Sequence, residues 1–237
     1  MNIALIGYGK MGHEIERIAL ERGHSVVSKV DIENPEEFES DAFKRADVAI
    51  EFTRPDSAFG NYMKCYSAGV PVVSGTTGWL DRLCEIKEFC TKGWTFFYAS
   101  NFSLGVNVFF SLNKKLTEMM NNFPSYNVSM KEIHHIHKKD APSGTAITLA
   151  DDIIERLERK TCWVKETEQK PGDLAIASER TGEVPGYHEV TWDSEVDTIT
   201  ISHNAKSRAG FALGAVIAAE FTVGKKGFLG MSDMLGF

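Results

Sequence analysis

Short apolar runs and amphipathic stretches alternate from the start of the chain, and the spacing within each predicts its secondary structure. Residues 2–6 form an apolar run. Beyond a glycine-rich turn, Met11, Ile15, Ile18 and Ala19 recur on one helical face, and Gly23 closes that helix. Residues 24–30 read as a second strand ending at Asp31, and 31–46 as a loop. The alternation continues with a strand at 46–52, a helix at 57–68, a strand of the buried type at 70–74, a helix at 80–91 and a strand at 94–98. Strands separated by helices predict a parallel sheet whose carboxyl ends line one crevice.

The pattern changes after residue 104. A helix is expected at 106–121 and a strand at 126–133, followed by a helix from 146 in which Leu149, Ile153 and Leu157 share a face. Residues 161–187 are polar, contain Pro171, Gly172, Gly182, Pro185 and Gly186, and show neither the helical nor the strand period. A stretch that long without regular structure predicts a lid or an interface arm. Strands at 187–192 and 196–203 follow with no helix between them, which predicts an antiparallel or mixed sheet in a separate α+β domain. A turn at 204–208 leads to a helix at 209–221, and the chain ends with residues 227–231 and a short tail.

Composition narrows the classes of function. A net charge of −7 over 237 residues argues against nonspecific nucleic-acid binding and against attraction to an anionic membrane, so any anion must be drawn in by local charge. Cys65, Cys84, Cys90 and Cys162 form no CxxC pair and no metal spacing, which predicts free thiols in a reducing compartment and no metal centre. No apolar run reaches membrane-spanning length, and a cytoplasmic protein is expected.

Two stretches carry chemistry. Gly7-Tyr8-Gly9-Lys10-Met11-Gly12 is a G-x-G-x-x-G loop between a strand and a helix. Asp31 ends the next strand about 20 residues later, where a carboxylate can grip an adenosine ribose. The fold class is therefore α/β, a Rossmann-like dinucleotide-binding domain with a second, α+β domain built on a mixed sheet. Thr53, Gly75-Thr76-Thr77 and Ala99-Ser100-Asn101-Phe102 follow other strands of the expected sheet and should face the same crevice. The second stretch sets His134, His135, His137, Lys138 and Lys139 just before Ser143-Gly144-Thr145 at a helix start. The side chains supply charge and exchangeable protons, the free amides of the helix start a second anion site, and Gly144 lets a carboxylate approach the backbone closely. Three histidines also raise the possibility of zinc, but the adjacent lysines would repel a cation and no nearby cysteine or acidic set completes the site.

Together, the glycine loop, Asp31, Gly75-Thr76-Thr77-Gly78, Ala99-Ser100-Asn101-Phe102-Ser103 and His134-His135-x-x-Lys138-x-Asp140-Ala141-Pro142-Ser143-Gly144-Thr145 closely resemble the 4-hydroxy-tetrahydrodipicolinate (dihydrodipicolinate) reductases of the diaminopimelate route to lysine. The resemblance implies a cofactor domain of residues 1–104 with 209–237, and a substrate-binding and oligomerisation domain of residues 105–208 in a homotetramer. It implies that His134 and Lys138 are the acids of the reaction, either of which could deliver the proton. His135, Gly144 and Thr145 would hold the substrate carboxylates, with Ser143 and Arg208 as helpers. Gly7 to Gly12, Asp31, Gly75 to Thr77 and Ala99 to Phe102 would hold NADH or NADPH. Many members carry a basic residue after the ribose-binding acid; here Ile32 follows Asp31, so NADH should be used at least as well as NADPH, with Lys10 a possible partner for a 2′-phosphate. Another dehydrogenase of the same fold acting on a small carboxylate would share the first half without requiring the histidine-lysine string. A non-catalytic NAD sensor would lack the acids.

Overall fold

The computed structural model describes the whole chain except residues 167–169, 171 and 208. It divides into two compact units, Met1–Leu104 with Ala209–Phe237, and Gly105–Arg208. In chain order the helices are α1 (Lys10–Glu21), α2 (Asp41–Lys44), α3 (Pro55–Ala68), α4 (Leu83–Thr91), α5 (Leu104–Met120), α6 (Gly144–Arg156), α7 (Ala209–Thr222) and α8 (Met231–Leu235).

The first unit is a six-stranded sheet of β1 (Asn2–Ile6), β2 (Ser25–Val30), β3 (Val48–Glu51), β4 (Val72–Ser74), β5 (Thr95–Tyr98) and β11 (Gly227–Leu229), in the order β11-β5-β4-β3-β1-β2. Every pairing is parallel. Its inner strands β1, β3, β4 and β5 are largely apolar because both faces are covered, while the edge strand β2 carries Ser25, Ser28 and Lys29. Ile3, Leu5, Val48 and Ile50 point toward α1 and α7, while Ala4, Ile6, Ala49 and Val72 join Tyr62, Cys65 and Ile86 of α3 and α4 on the other face. Residues 31–46 are more than the expected loop. A 3₁₀ turn (Pro35–Glu39) and α2 bury Phe38 and Phe43, and the Ser40 hydroxyl accepts from the Phe43 amide as the cap of α2. The C-terminal tail likewise supplies β11 and α8.

The second unit is a mixed five-stranded sheet, β10-β9-β6-β8-β7. Its strands are β6 (Asn127–His134), β7 (Cys162–Lys165), β8 (Asp173–Arg180), β9 (Gly186–Asp193) and β10 (Thr198–Ala205). β6 pairs parallel with β8 and antiparallel with β9. One face packs Val128, Met130, Leu174, Ile176, Val190 and Trp192 against Leu149 and Ile153 of α6 and Phe109 of α5. The expectation of an irregular lid or arm at 161–187 is thus corrected. β7 and β8 lie within that stretch as regular strands, and residues 167–169 and 171 within it lie outside the described residues. The strands escaped notice because β8 buries one short run, Leu174-Ala175-Ile176, and then turns polar at Ser178, Glu179 and Arg180, which leaves no period to read.

Candidate active site

In the first unit the chain runs from β1 outward to β2 and then crosses back to β3 on the other side of β1, so the strand order reverses between β1 and β3. A crevice opens at such a reversal, outside the carboxyl ends of the strands. Gly7 lies there at φ +89°, and a Cβ on it would stand 2.2 Å from the Phe52 carbonyl oxygen. A Cβ on Gly12 would stand 2.4 Å from the carbonyl oxygen of Gly7. Only glycine permits this approach of the α1 start to the loop. Gly9 caps α1 with no side-chain acceptor, so the amides of the first turn are left for an external anion.

Two cavities meet this loop. One of about 370 Å³ is lined by Gly9 to Gly12, Phe52, Thr53, Pro55 and Gly75 to Thr77. The other, about 380 Å³, takes in Gly7, Tyr8, Asp31, Ile32, Phe38, Arg54 and Lys64. The Asp31 carboxylate accepts from the amides of Tyr8 (3.3 Å) and Ile32 (2.8 Å), which fixes it beside the loop. Lys10 lines the first cavity. Around Asp31 the lining cations are Arg54 and Lys64. Ser100 is exposed and Asn101 half-buried, its amide oxygen accepting from the Ser103 amide at 2.9 Å. Ala99 and Phe102 have their side chains in the core, so any contact they offer a ligand is through the backbone.

Sequence reasoning missed Glu51, at the end of β3. Its carboxylate is fully buried and accepts from the hydroxyls of Ser74 (2.7 Å), Thr76 (2.9 Å), Tyr62 (3.3 Å) and Thr53. The Thr76 hydroxyl in turn accepts from the Thr53 amide at 2.8 Å. Burial raises the Glu51 carboxyl above the usual range, against the pull of these hydroxyl donors.

In the second unit the histidine-lysine string divides. His134 is the last residue of β6 and is 7% exposed; His135 and Lys138 are half-buried, while His137 is exposed and reaches Glu183 at 3.2 Å. The Lys138 ammonium pairs with Asp140 at 2.8 Å. Ser143 caps α6, its hydroxyl accepting from the Ala146 amide, so Gly144 and Thr145 stand in the first helical turn as expected. Arg208 lies outside the described residues.

Beneath His134 is a buried polar cluster that the sequence reading did not assemble. β6 alternates, with Val128, Met130, Glu132 and His134 inward; on β9, His188 is inward with Val190 and Trp192 and lies opposite Glu132 in the antiparallel register. The Glu132 carboxylate lies 3.3 Å from His134 Nδ1. It accepts from both the Arg180 guanidinium (3.0 Å) and the Ser143 amide (3.2 and 3.1 Å to its two oxygens). Burial alone would raise its pKa; His134, Ser143, Arg180 and Ser178 outweigh that and hold the carboxyl far below the usual range. Burial, reinforced by the neighbouring His134 and opposed by Glu132, lowers His188 to about 4, so this ring is neutral near pH 7. By proximity Glu132, His134 and His188 could face one ion, which brings in the acidic group that the sequence reading did not find near the histidines. The Arg180 guanidinium and the Ser143 amide already occupy that carboxylate, and a cation would have to displace both.

Two family models cover these two halves, "Dihydrodipicolinate reductase, N-terminus" over residues 1–102 and "Dihydrodipicolinate reductase, C-terminus" over residues 105–235. The chain belongs to the dihydrodipicolinate reductase family. A 4-hydroxy-tetrahydrodipicolinate reductase of Christiangramia forsetii is 50% identical over 236 residues, 99% of this chain and 98% of the relative. One of Neisseria meningitidis serogroup B is 33% identical over 228 residues, 93% and 84% of the two chains. Among solved structures, a dipicolinate-bound dihydrodipicolinate reductase from Paenisporosarcina sp. TG-14 superposes with a TM-score of 0.76 at 22% identity, covering 98% of each chain, which supports the Rossmann-like sheet with a second mixed sheet. The family is NAD(P)-dependent and its substrate is a small carboxylate. Among the described residues no helix is long and apolar enough to cross a membrane.

Proposed function

We propose that this chain reduces (2S,4S)-4-hydroxy-2,3,4,5-tetrahydrodipicolinate to (S)-2,3,4,5-tetrahydrodipicolinate in the diaminopimelate route, using NADH or NADPH. The observation that carries the reading is the histidine-lysine string at the capped start of α6, in a chain 50% identical over nearly its whole length to a reductase of that name. Net, the substrate takes up a hydride and a proton and loses water. A reduced nicotinamide bound at the Gly7 to Gly12 cradle would supply the hydride. Gly7 and Gly12 fit that group because a side chain at either would push the loop off β3 and the start of α1 off the loop, and Asp31 would accept from ribose hydroxyls. Thr53, Gly75 to Thr77 and the backbone of Ala99 to Phe102 would complete the cofactor wall.

His134 and Lys138 are the proton donors on this reading, each able to stabilise charge on the ring nitrogen as the hydride arrives. His135, with Gly144 and Thr145 in the first turn of α6, would hold the substrate carboxylates, with Ser143 and Arg208 as helpers. Residues 1–104 with 209–237 would form the cofactor domain and 105–208 the substrate and tetramer domain of a cytoplasmic enzyme. The second sheet leaves one face, with Ser129, Lys131, Glu189 and Thr191, available to a partner subunit. Light scattering after gel filtration tests the tetramer. The function is tested by a coupled assay with the synthase that makes the unstable substrate, following nicotinamide absorbance. Oxidation of the cofactor only when the synthase product is present is expected, and its absence would remove the reading.

A further inference from the structure

We propose that Glu132 is a positioning residue for the reaction, a buried anion that orients the His134 ring and that ties the proton donor to the start of α6. This rests on the reading of His134 as a donor given under Proposed function. The argument starts from the strand. Glu132 and His134 are inward neighbours of the same alternation, and the carboxylate is fully buried, which is costly for a charge unless it is paired. It has hydrogen-bond donors on two sides and an imidazole on the third. Arg180, at the end of β8 and opposite His134 in the parallel register, donates to one oxygen. The Ser143 amide donates to both oxygens, so the residue that caps α6 hangs on the same carboxylate. His134 Nδ1 faces the second oxygen at 3.3 Å.

Each contact has a consequence for the reaction. The guanidinium and the amide keep Glu132 ionised, so the carboxylate meets the ring as an acceptor on the Nδ1 side. With Nδ1 facing Glu132, Nε2 is the nitrogen left to serve a substrate. It lies beside Gly186, where a Cβ would approach it to 3.2 Å. His188, edge-on to His134 at 5.1 Å between ring centres, bonds the Ser143 hydroxyl at 3.1 Å and closes the cluster from β9. The charged and titratable groups around His134 are thus Glu132 on its own strand, Arg180 on β8, His188 on β9 with His203 beyond it on β10, and Lys138 with Asp140 on the following loop.

The test is the pH profile of kcat/KM in the coupled assay, with the full-length protein. Activity that depends on a protonated donor falls as pH rises through its pKa. Glu132→Gln keeps the size of the side chain and removes the charge, so the alkaline limb should move to lower pH by about 1 unit, with turnover recovering in more acid buffer and the KM for the reduced cofactor unchanged. Arg180→Gln removes a nearby cation and should move the same limb to higher pH, which keeps the test intact if Glu132→Gln fails to fold. Titration of the His134 ring by ¹⁵N NMR, without substrate or cofactor, should shift in the same two directions. An equal loss at every pH, or limbs and ring titrations that stay in place in both variants, would overturn the assignment of Glu132. No turnover by the unaltered chain would instead count against the reaction itself, and the NMR titrations would still decide the role of Glu132.

Discussion

Glu51 and Glu132 are both fully buried, each near the carboxyl end of a central strand, one in each unit, yet their surroundings push them in opposite directions. Among the described residues Glu51 is met only by hydroxyls, from Thr53, Tyr62, Ser74 and Thr76, and its carboxyl is raised by burial. Glu132 is met by a guanidinium, a backbone amide and an imidazole, and is lowered despite burial. The difference teaches what each unit asks of an acid. Around Glu51 the hydroxyl dipoles need a hub that links the loops carrying Thr53 and Thr76, and either protonation state can serve. Around Glu132 the partners carry charge, so the site depends on an anion.

The largest effect expected from this contrast is on stability. Glu132→Ala takes the carboxylate from Arg180, which keeps the Asp140 and Glu179 carbonyls, and leaves the Ser143 amide without that acceptor, and should cost about 3 kcal/mol at neutral pH, the range for breaking a buried ion pair. The sign with pH follows from the lowered carboxyl. Its contribution is present above the ordinary carboxylate range and is lost as pH falls through the folded value, so urea midpoints of variant and unaltered protein should converge in acid. A gap that stayed constant with pH would show that Glu132 acts by packing alone.

Next is turnover. His134→Gln and Lys138→Ala should each lower kcat by about 10²-fold, the size of a lost general acid, with cofactor affinity nearly unchanged in fluorescence titration. Full turnover in both variants would remove the proton chemistry from this string.

Glu51→Gln should cost less, about 1–2 kcal/mol, because hydroxyls can rotate to accept from the new amide. Here the pH dependence runs the other way. A raised carboxyl contributes stability that is fully present below its unfolded pKa and is lost as pH rises through the folded one, so the cost of Glu51→Gln should be greatest in acid and shrink toward neutral pH. Parallel trends for the two glutamates would break the comparison.

These two acids also mark where the sequence was legible. The parallel sheet of the first unit could be read because strands covered on both faces are largely apolar, and the glycine loop because Gly7 and Gly12 have no sterically allowed substitute. His134, Ser143, Gly144 and Thr145 could be placed because a strand end and a helix cap are local features. Glu132, Arg180 and His188 come from three different strands, and pairing between β6, β8 and β9 is not a local property. One signal was there to be used. Glu132 continues the inward positions of Val128 and Met130, and His188 those of Val190 and Trp192. A charge or an imidazole at an inward position of a strand must find a partner, and that partner is where a site is built.

The smallest effect concerns the cofactor, and it extends the comparison to a third, exposed acid. Asp31 is held by the amides of Tyr8 and Ile32; on the proposed reading it accepts from ribose hydroxyls and repels a 2′-phosphate. Ile32 is 77% exposed and offers no cation, so NADH should be used at least as well as NADPH. Ile32→Arg should raise the NADPH to NADH ratio of kcat/KM about fivefold, roughly the 1 kcal/mol of an exposed charge-assisted contact. The effect should shrink as salt is added, since exposed charges are screened. Lys10 lines the neighbouring cavity, while Arg54 and Lys64 line the one that holds Asp31. Those two cations are therefore where a phosphate preference would originate. An unaltered protein that favours NADPH by about tenfold or more, and loses that preference in Arg54→Ala or Lys64→Ala, would show that the cavity wall outweighs Asp31.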